Sequence, residues 1–338
     1  MATPIVNERT IDERARRLRG ALGLRAPSGY LSGQGSQELS IAWYQFPAHG
    51  SRPPDALATE EQTIVGLHDL GSGSREFYPL LPLAQPGTRL IFFDWPSHGR
   101  SSSAPALSLN SAIDLLRSIL KQLGIARPIL AGCGFGAAVA LGYAVRFPGH
   151  ALALVLCQPA GLVPRNGVPS LPKLGKLHSP DARRQALRTF AVGRIDPKAS
   201  EEALLAKDAL TSATPSLPWA LAGVSCPILA ALSRDSRQYR LDDYLRLLDS
   251  SWSSAPQHRT TVFNGSFHPI WDEPVRFMQA LTALLQAQRP LDQHRHAWLL
   301  SAVDWPTRSM NLWRCVHPEC HAEQALAEGL NANDAEPL

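Results

Sequence analysis

Five stretches of this chain carry side chains that could do chemistry: His68-Asp69, Cys133 set among glycines, Asp235, His268, and the run Cys315 to His321. The first four each follow a short apolar run, the position at which a strand hands its side chains to a pocket. A histidine brought beside a carboxylate can move protons near neutral pH, so the histidines and aspartates at these strand ends are candidates for acid–base chemistry. Cys133 is a candidate thiol nucleophile, or else a buried small hydrophobe, the commoner role for cysteine. Cys315-Val316-His317-Pro318-Glu319-Cys320-His321 packs four potential metal ligands into seven residues. Zinc ligands are usually spaced in separated pairs, and here the pairs nearly overlap. No metal and no cofactor is therefore expected, and the tail is read as starting in a helix and docking through Trp298, Trp305 and Trp313.

The elements that must position these groups centre on Ile129–Tyr143. A short apolar run breaks into Gly132, Gly134 and Gly136 and resumes as an Ala/Val/Leu pattern of helical period, which predicts strand, sharp turn and helix. Further strands are predicted at Leu39–Phe46, Thr63–His68, Leu90–Phe93, Ala151–Leu156, Pro227–Leu232 and Thr260–Phe263. Helices are predicted from Ser108 or Asn110 to Leu123, over Asp242–Leu248, and from Val275 to about Gln288. Alternating strands and helices imply an α/β fold with a mostly parallel, doubly wound sheet.

The turn at Gly132-Cys133-Gly134-Phe135-Gly136 resembles the nucleophile elbow of the α/β-hydrolase superfamily, Gly-x-Ser-x-Gly, with glycine at the serine position. The segments His68-Asp69-Leu70-Gly71, Asp94 to Ser101, Ser233-Arg234-Asp235 and Asn264 to Pro274 resemble further motifs of the family, in the family's order. The resemblance covers roughly Leu39 to Gln288. It implies an oxyanion hole built from the N–H groups of Leu70 and Phe135, with His68 and Asp69 beside the ligand. It also implies a triad acid at Asp235, a base at His268 and a structural turn histidine at His98. Three departures stand out. Gly134 offers no hydroxyl, Asp69 replaces the glycine that usually follows the histidine, and His268 lies one residue later than the family's spacing from Pro274 implies. Loss of a serine nucleophile alone can cost on the order of a million-fold in turnover.

The domain organisation expected from these patterns has four parts. Residues 1–37 form an amphipathic helix and linker, and 38–158 with 226–289 form the α/β-hydrolase core. Residues 159–225 form a helical lid insertion, with helices at Ala182–Val192 and Glu201–Leu210, and 290–338 form a C-terminal extension. The stretch from Arg165 to Lys198 holds eight Lys/Arg against two Asp, a net +6 against +4 for the whole chain. Five cysteines, an odd and scattered number, suggest reduced thiols and a cytoplasmic location. The charged N-terminus does not suit a signal peptide, and no apolar run reaches the length of a membrane span. The expected partner is a small-molecule ligand, with no nucleic acid and no membrane, and the N-terminal helix could serve a homodimer.

Three readings of function follow. The first is a hydrolase-fold protein without a serine nucleophile that binds a small anionic or carbonyl-containing ligand without ester hydrolysis. The second is a lyase, isomerase or cyclase using the oxyanion hole and His268–Asp235. The third is a divergent hydrolase of ester, thioester or carbon–carbon bonds, acting through Cys133 or an activated water.

Overall fold

The computed structural model describes residues 27–33, 39–46, 62–84, 88–102, 104, 107–163, 217–236, 239–251, 258–265 and 268–286, and three strands beyond them. The predicted helices at residues 10–24, 182–192 and 201–210 lie outside the described residues, as does most of the expected lid and of the Cys315–His321 run.

Eight strands form one sheet in the order β1-β2-β4-β3-β5-β6-β7-β8. They are β1 (Gly29–Gly33), β2 (Leu39–Phe46), β3 (Gln62–Leu67), β4 (Thr88–Phe93), β5 (Ile129–Cys133), β6 (Ala153–Cys157), β7 (Ile228–Ser233) and β8 (Arg259–Phe263). The pairs β1–β2 and β2–β4 are antiparallel, and every pair from β4 to β8 is parallel. Among the described residues the helices are α1 (Leu109–Gln122), α2 (Phe135–Arg146), α3 (Leu241–Ser251), α4 (Pro269–Asp272) and α5 (Pro274–Gln286), with 3-10 segments at Ser74–Leu83 and Pro218–Gly223.

The parallel strands bury both faces, so their residues alternate between two cores rather than between core and solvent. Leu154 and Leu156 of β6 face the core that holds α1 and α2. Ala153, Val155 and Cys157 face the core that holds the Ser74–Leu83 segment and α5. Cys133 pairs with Cys157 across β5 and β6 and shares that second face. At α1 the expected cap forms, with the Ser111 N–H donating to Ser108 Oγ at 3.1 Å.

Two segments differ from the sequence reading. The stretch read as linker contains β1, which joins the sheet as an antiparallel edge strand, with the Ser28 N–H donating to the Trp43 carbonyl at 2.8 Å. Its glycines hid a strand of only five residues, and that strand is specified by β2 rather than by its own pattern. The tail, read as starting in a helix, forms an antiparallel three-stranded sheet of β9 (Trp298–Ala302), β10 (Asn311–Cys315) and β11 (Glu323–Leu326).

Candidate functional site

The site gathers at the carboxyl ends of β3, β5, β6 and β8, where a parallel sheet opens its crevice. The elbow between β5 and α2 is held by close approach. A Cβ at Gly132 would strike the Gly136 carbonyl oxygen, and one at Gly136 would strike the carbonyl oxygen of Leu67. Gly134 has φ +51 and ψ −109, a conformation that strains any L side chain. Its N–H donates to the Cys157 carbonyl at 3.0 Å.

The loop after β3 is fixed by the turn after β4. His68 Nε2 accepts from the Trp95 N–H at 2.9 Å, and its Nδ1–H donates to the Asp69 carbonyl at 2.7 Å. The Trp95 indole N–H returns a bond to the His68 carbonyl at 2.8 Å. His98 Nε2 accepts from the Gly71 N–H at 2.9 Å, and its Nδ1–H donates to the Pro96 carbonyl at 2.8 Å. Burial, with His98 beside it, lowers His68 to about 3, so the ring is neutral. His68 was expected beside the ligand, but the structure commits both its nitrogens to backbone and leaves neither for a ligand. His98 has the structural turn role.

This framework delivers Asp69, 2% exposed, to the elbow. The Asp69 N–H donates to Glu76 Oε2 at 2.9 Å. Asp69 Oδ1 accepts from the Leu70 N–H at 2.9 Å and from the Phe135 N–H at 2.8 Å. These are the two donors expected to form the oxyanion hole for a ligand. The chain's own carboxylate occupies them instead. A Cβ at position 134 would overlap this carboxylate, standing 2.6 Å from Oδ2. Gly134 and Asp69 are thus complementary: the absent side chain makes room for the extra one.

His268 precedes α4 and is 4% exposed. Its backbone N–H donates to Asp272 Oδ2 at 2.9 Å, but neither ring nitrogen has a hydrogen-bond partner among the described residues. Burial lowers its pKa to about 4, with the Asp69 charge pulling the other way. Asp235, the expected partner of His268, is exposed, and its N–H donates to the Gly265 carbonyl at 3.0 Å. No hydrogen bond joins Asp235 to the His268 ring, because the turn after β7 points that carboxylate outward. The carboxylates that face the His268 ring are Asp69, in the loop after β3, and Glu76, in the Ser74–Leu83 segment.

Cys133 is buried, and burial together with the Cys157 thiol and the Glu76 and Asp69 charges pushes its thiol up. A thiol held protonated among carboxylates is a poor nucleophile, which weighs against the nucleophile role expected at Cys133. Glu76, Cys133 and His268 nonetheless bring a carboxylate oxygen, a sulfur and an imidazole nitrogen within 4.8 Å of one another, all buried. A cation there would have to displace the Cys133 proton.

A small pocket with room for about one water molecule is lined by Asp69, Cys133, Gly134, Cys157, Gln158, His268 and Pro269. Gln158, just past β6, was missed in the sequence. It has φ +45, its Nε2 is buried without a partner among the described residues, and it lines this pocket. Its place one residue beyond a parallel strand was the available signal. Glu76 was also missed, since it lies in a 3-10 segment with two prolines that no periodicity reveals.

The likeness to known proteins follows the same frame. Over 146 residues the chain is 27% identical to the 2-hydroxy-6-oxo-6-phenylhexa-2,4-dienoate hydrolase of Comamonas testosteroni, covering 39% of this chain and 51% of that protein. The chain spans about half the length of that curated relative. The meta-cleavage product hydrolase of Pseudomonas fluorescens superposes with a TM-score of 0.57 at 18% identity, covering 78% of this chain and 99% of that one. A carboxylesterase of Bacillus subtilis does so with a TM-score of 0.59 at 13% identity, covering 82% and 98%. At these identities the superpositions concern the fold. A sequence model of the alpha/beta hydrolase family matches residues 64–309, well over half of the chain, and the chain belongs to that family.

Proposed function

We propose that this chain uses the α/β-hydrolase scaffold without an acyl-enzyme at the elbow and keeps its strand-end pocket for a small neutral ligand. The observation that carries this reading is Asp69 Oδ1 accepting from both the Leu70 and Phe135 N–H groups. A substrate carbonyl would have to displace a carboxylate held by two charge-assisted hydrogen bonds, and would then meet no hydroxyl at Gly134. The anionic ligand suggested by the sequence is disfavoured here. Among the described residues, those lining the pocket include Asp69 and no Lys or Arg, so on that lining a second anion would be repelled.

Acid–base chemistry on the ligand is the second reading, and the unpartnered, buried imidazole of His268 favours it. Its carboxylate neighbour would then be Asp69 rather than Asp235.

The test is a fluorophosphonate probe and a panel of activated esters. The parent is expected to be inert to both. Gly134→Ser alone should stay inert, because its Cβ overlaps the Asp69 carboxylate, and should lose about 3 kcal/mol or more through backbone strain and displaced hydrogen bonds. Asp69→Gly combined with Gly134→Ser should recover part of that stability. Probe label on the parent, at Cys133 or elsewhere in the pocket, would sink the reading.

A further inference from the structure

A buried polar side chain without a hydrogen-bond partner is costly unless a water or an ion completes it. His268 is such a side chain: it is 4% exposed, and neither ring nitrogen is bonded among the described residues. It does not stand alone. A carboxylate oxygen of Glu76, the Cys133 sulfur and a His268 nitrogen lie within 4.8 Å of one another, and all three residues are buried. They reach this point from three separate elements: the Ser74–Leu83 segment, the end of β5, and the residue before α4.

We propose that Glu76, Cys133 and His268 form a zinc site, with a single water from the adjoining pocket as the fourth ligand. The donor set selects the ion. A thiolate, an imidazole and one carboxylate suit a borderline-soft divalent ion, whereas magnesium and calcium take oxygen ligands. Three protein ligands with one open position is a recurrent arrangement for zinc. The pocket that Cys133 and His268 both line has room for about one water molecule, the size of that open position. Around a tetrahedral zinc, with bonds of about 2.0–2.3 Å, ligand atoms sit about 3.3–3.8 Å apart. The three side chains therefore close by about 1–1.5 Å at their widest pair when the ion binds.

The charge closes as well. One carboxylate and one thiolate neutralise a divalent ion, so the three ligands and the metal bury no net charge together. As the zinc–sulfur bond forms, the Cys133 thiol releases its proton to solvent. Neighbouring groups hold the ligands in place. Glu76 Oε2 accepts from the Asp69 N–H at 2.9 Å, which orients that carboxylate. Cys133 and Cys157 are partners across β5 and β6 with their thiols hydrogen-bonded, so the Cys157 S–H is placed to donate to the thiolate. The site uses no residue of the Cys315–His321 run, and it does not depend on the absence of an acyl-enzyme at residue 134. An imidazole whose lone pair is held by zinc is no base, so the proposal displaces the acid–base reading of His268.

The experiment uses the full chain without a histidine tag, reduced, stripped with a chelator, then loaded with zinc or with cobalt(II). Wild type should keep about one zinc per chain through gel filtration. Its Tm should rise by about 5 °C or more when free zinc exceeds Kd a hundredfold. Cobalt should give a sulfur-to-cobalt charge-transfer band that Cys133→Ala loses. His268→Gln and Glu76→Gln should each weaken zinc binding by more than the ~100-fold that an outer orienting partner is worth. Without metal, His268→Gln should match the parent's Tm at pH 8, so its missing zinc shift is not a folding defect. A Cys315→Ser, Cys320→Ser double variant should keep the zinc, the band and the shift. A wild type that retains no zinc and shows no sulfur-to-cobalt band overturns the proposal, whatever the variants do. Zinc lost from the double variant but kept by His268→Gln places the metal in the tail and overturns it equally.

Discussion

Three buried histidines flank Asp69, and they divide by what their rings touch. His68 and His98, in the loops after β3 and β4, spend both nitrogens on backbone groups. His268, across the pocket, spends neither. Burial penalises the charged form of both His68 and His268. The difference lies in the neutral form: one ring is a fastener, the other a buried polar group whose desolvation cost is uncompensated by any described contact. Identical residue type and similar burial therefore do not imply a similar role. The accounting of hydrogen bonds separates them.

The sharpest break in that comparison is His68→Ala. It would leave the Trp95 N–H and the Asp69 carbonyl without their partner and open a void beneath the β3 loop. A stability loss of about 3–5 kcal/mol is expected in denaturant unfolding, several times that of removing an exposed histidine. A loss under about 1 kcal/mol would show that the Trp95 indole bond to the His68 carbonyl holds the loop by itself.

The pocket histidine should behave differently and depend on pH. His268 has a folded pKa of about 4 against about 6.5 for an unfolded chain. Between those values the unfolded chain takes up a proton that the folded chain refuses, so stability is complete above pH 6.5 and falls as pH drops toward 4. His268→Gln removes that share. It should change stability little at pH 8, and near pH 5 it should gain about 2 kcal/mol relative to the parent. Parallel pH profiles for the two proteins would mean that the ring titrates normally.

How far the chain was legible from sequence follows the same division. The core strands and α1, α2 and α5 were readable because apolar period and turn residues act locally. The glycines of the elbow were readable too, since only they tolerate the approach of Leu67 and Gly136 oxygens. What could not be read was the meeting of Asp69 with Gly134. Each stood out separately as a departure, but their complementarity depends on a contact across 66 residues, between Asp69 Oδ1 and the Phe135 N–H. Asp235 was placed by motif order, which fixes a strand end and not the direction in which its carboxylate leaves. Strand β1 and the tail sheet were illegible for a related reason: short edge strands are specified by their neighbours.

The smallest effect belongs to Gln158. It stands beyond β6 with its backbone N–H donating to the Ala231 carbonyl at 3.2 Å, so the main chain is anchored independently of the side chain. Its Nε2 is buried without a partner, which costs stability unless something in the pocket accepts from it. Gln158→Met keeps the length and removes the donor, and should be neutral or stabilising by about 1 kcal/mol, because replacing an unsatisfied polar group by an apolar one of similar shape removes its desolvation cost. Thermal unfolding of the variant beside the parent checks this. A stability loss above about 1 kcal/mol would show that the amide is bonded within the fold, and Gln158 would then join His68 as a fastener rather than His268 as a reserved group.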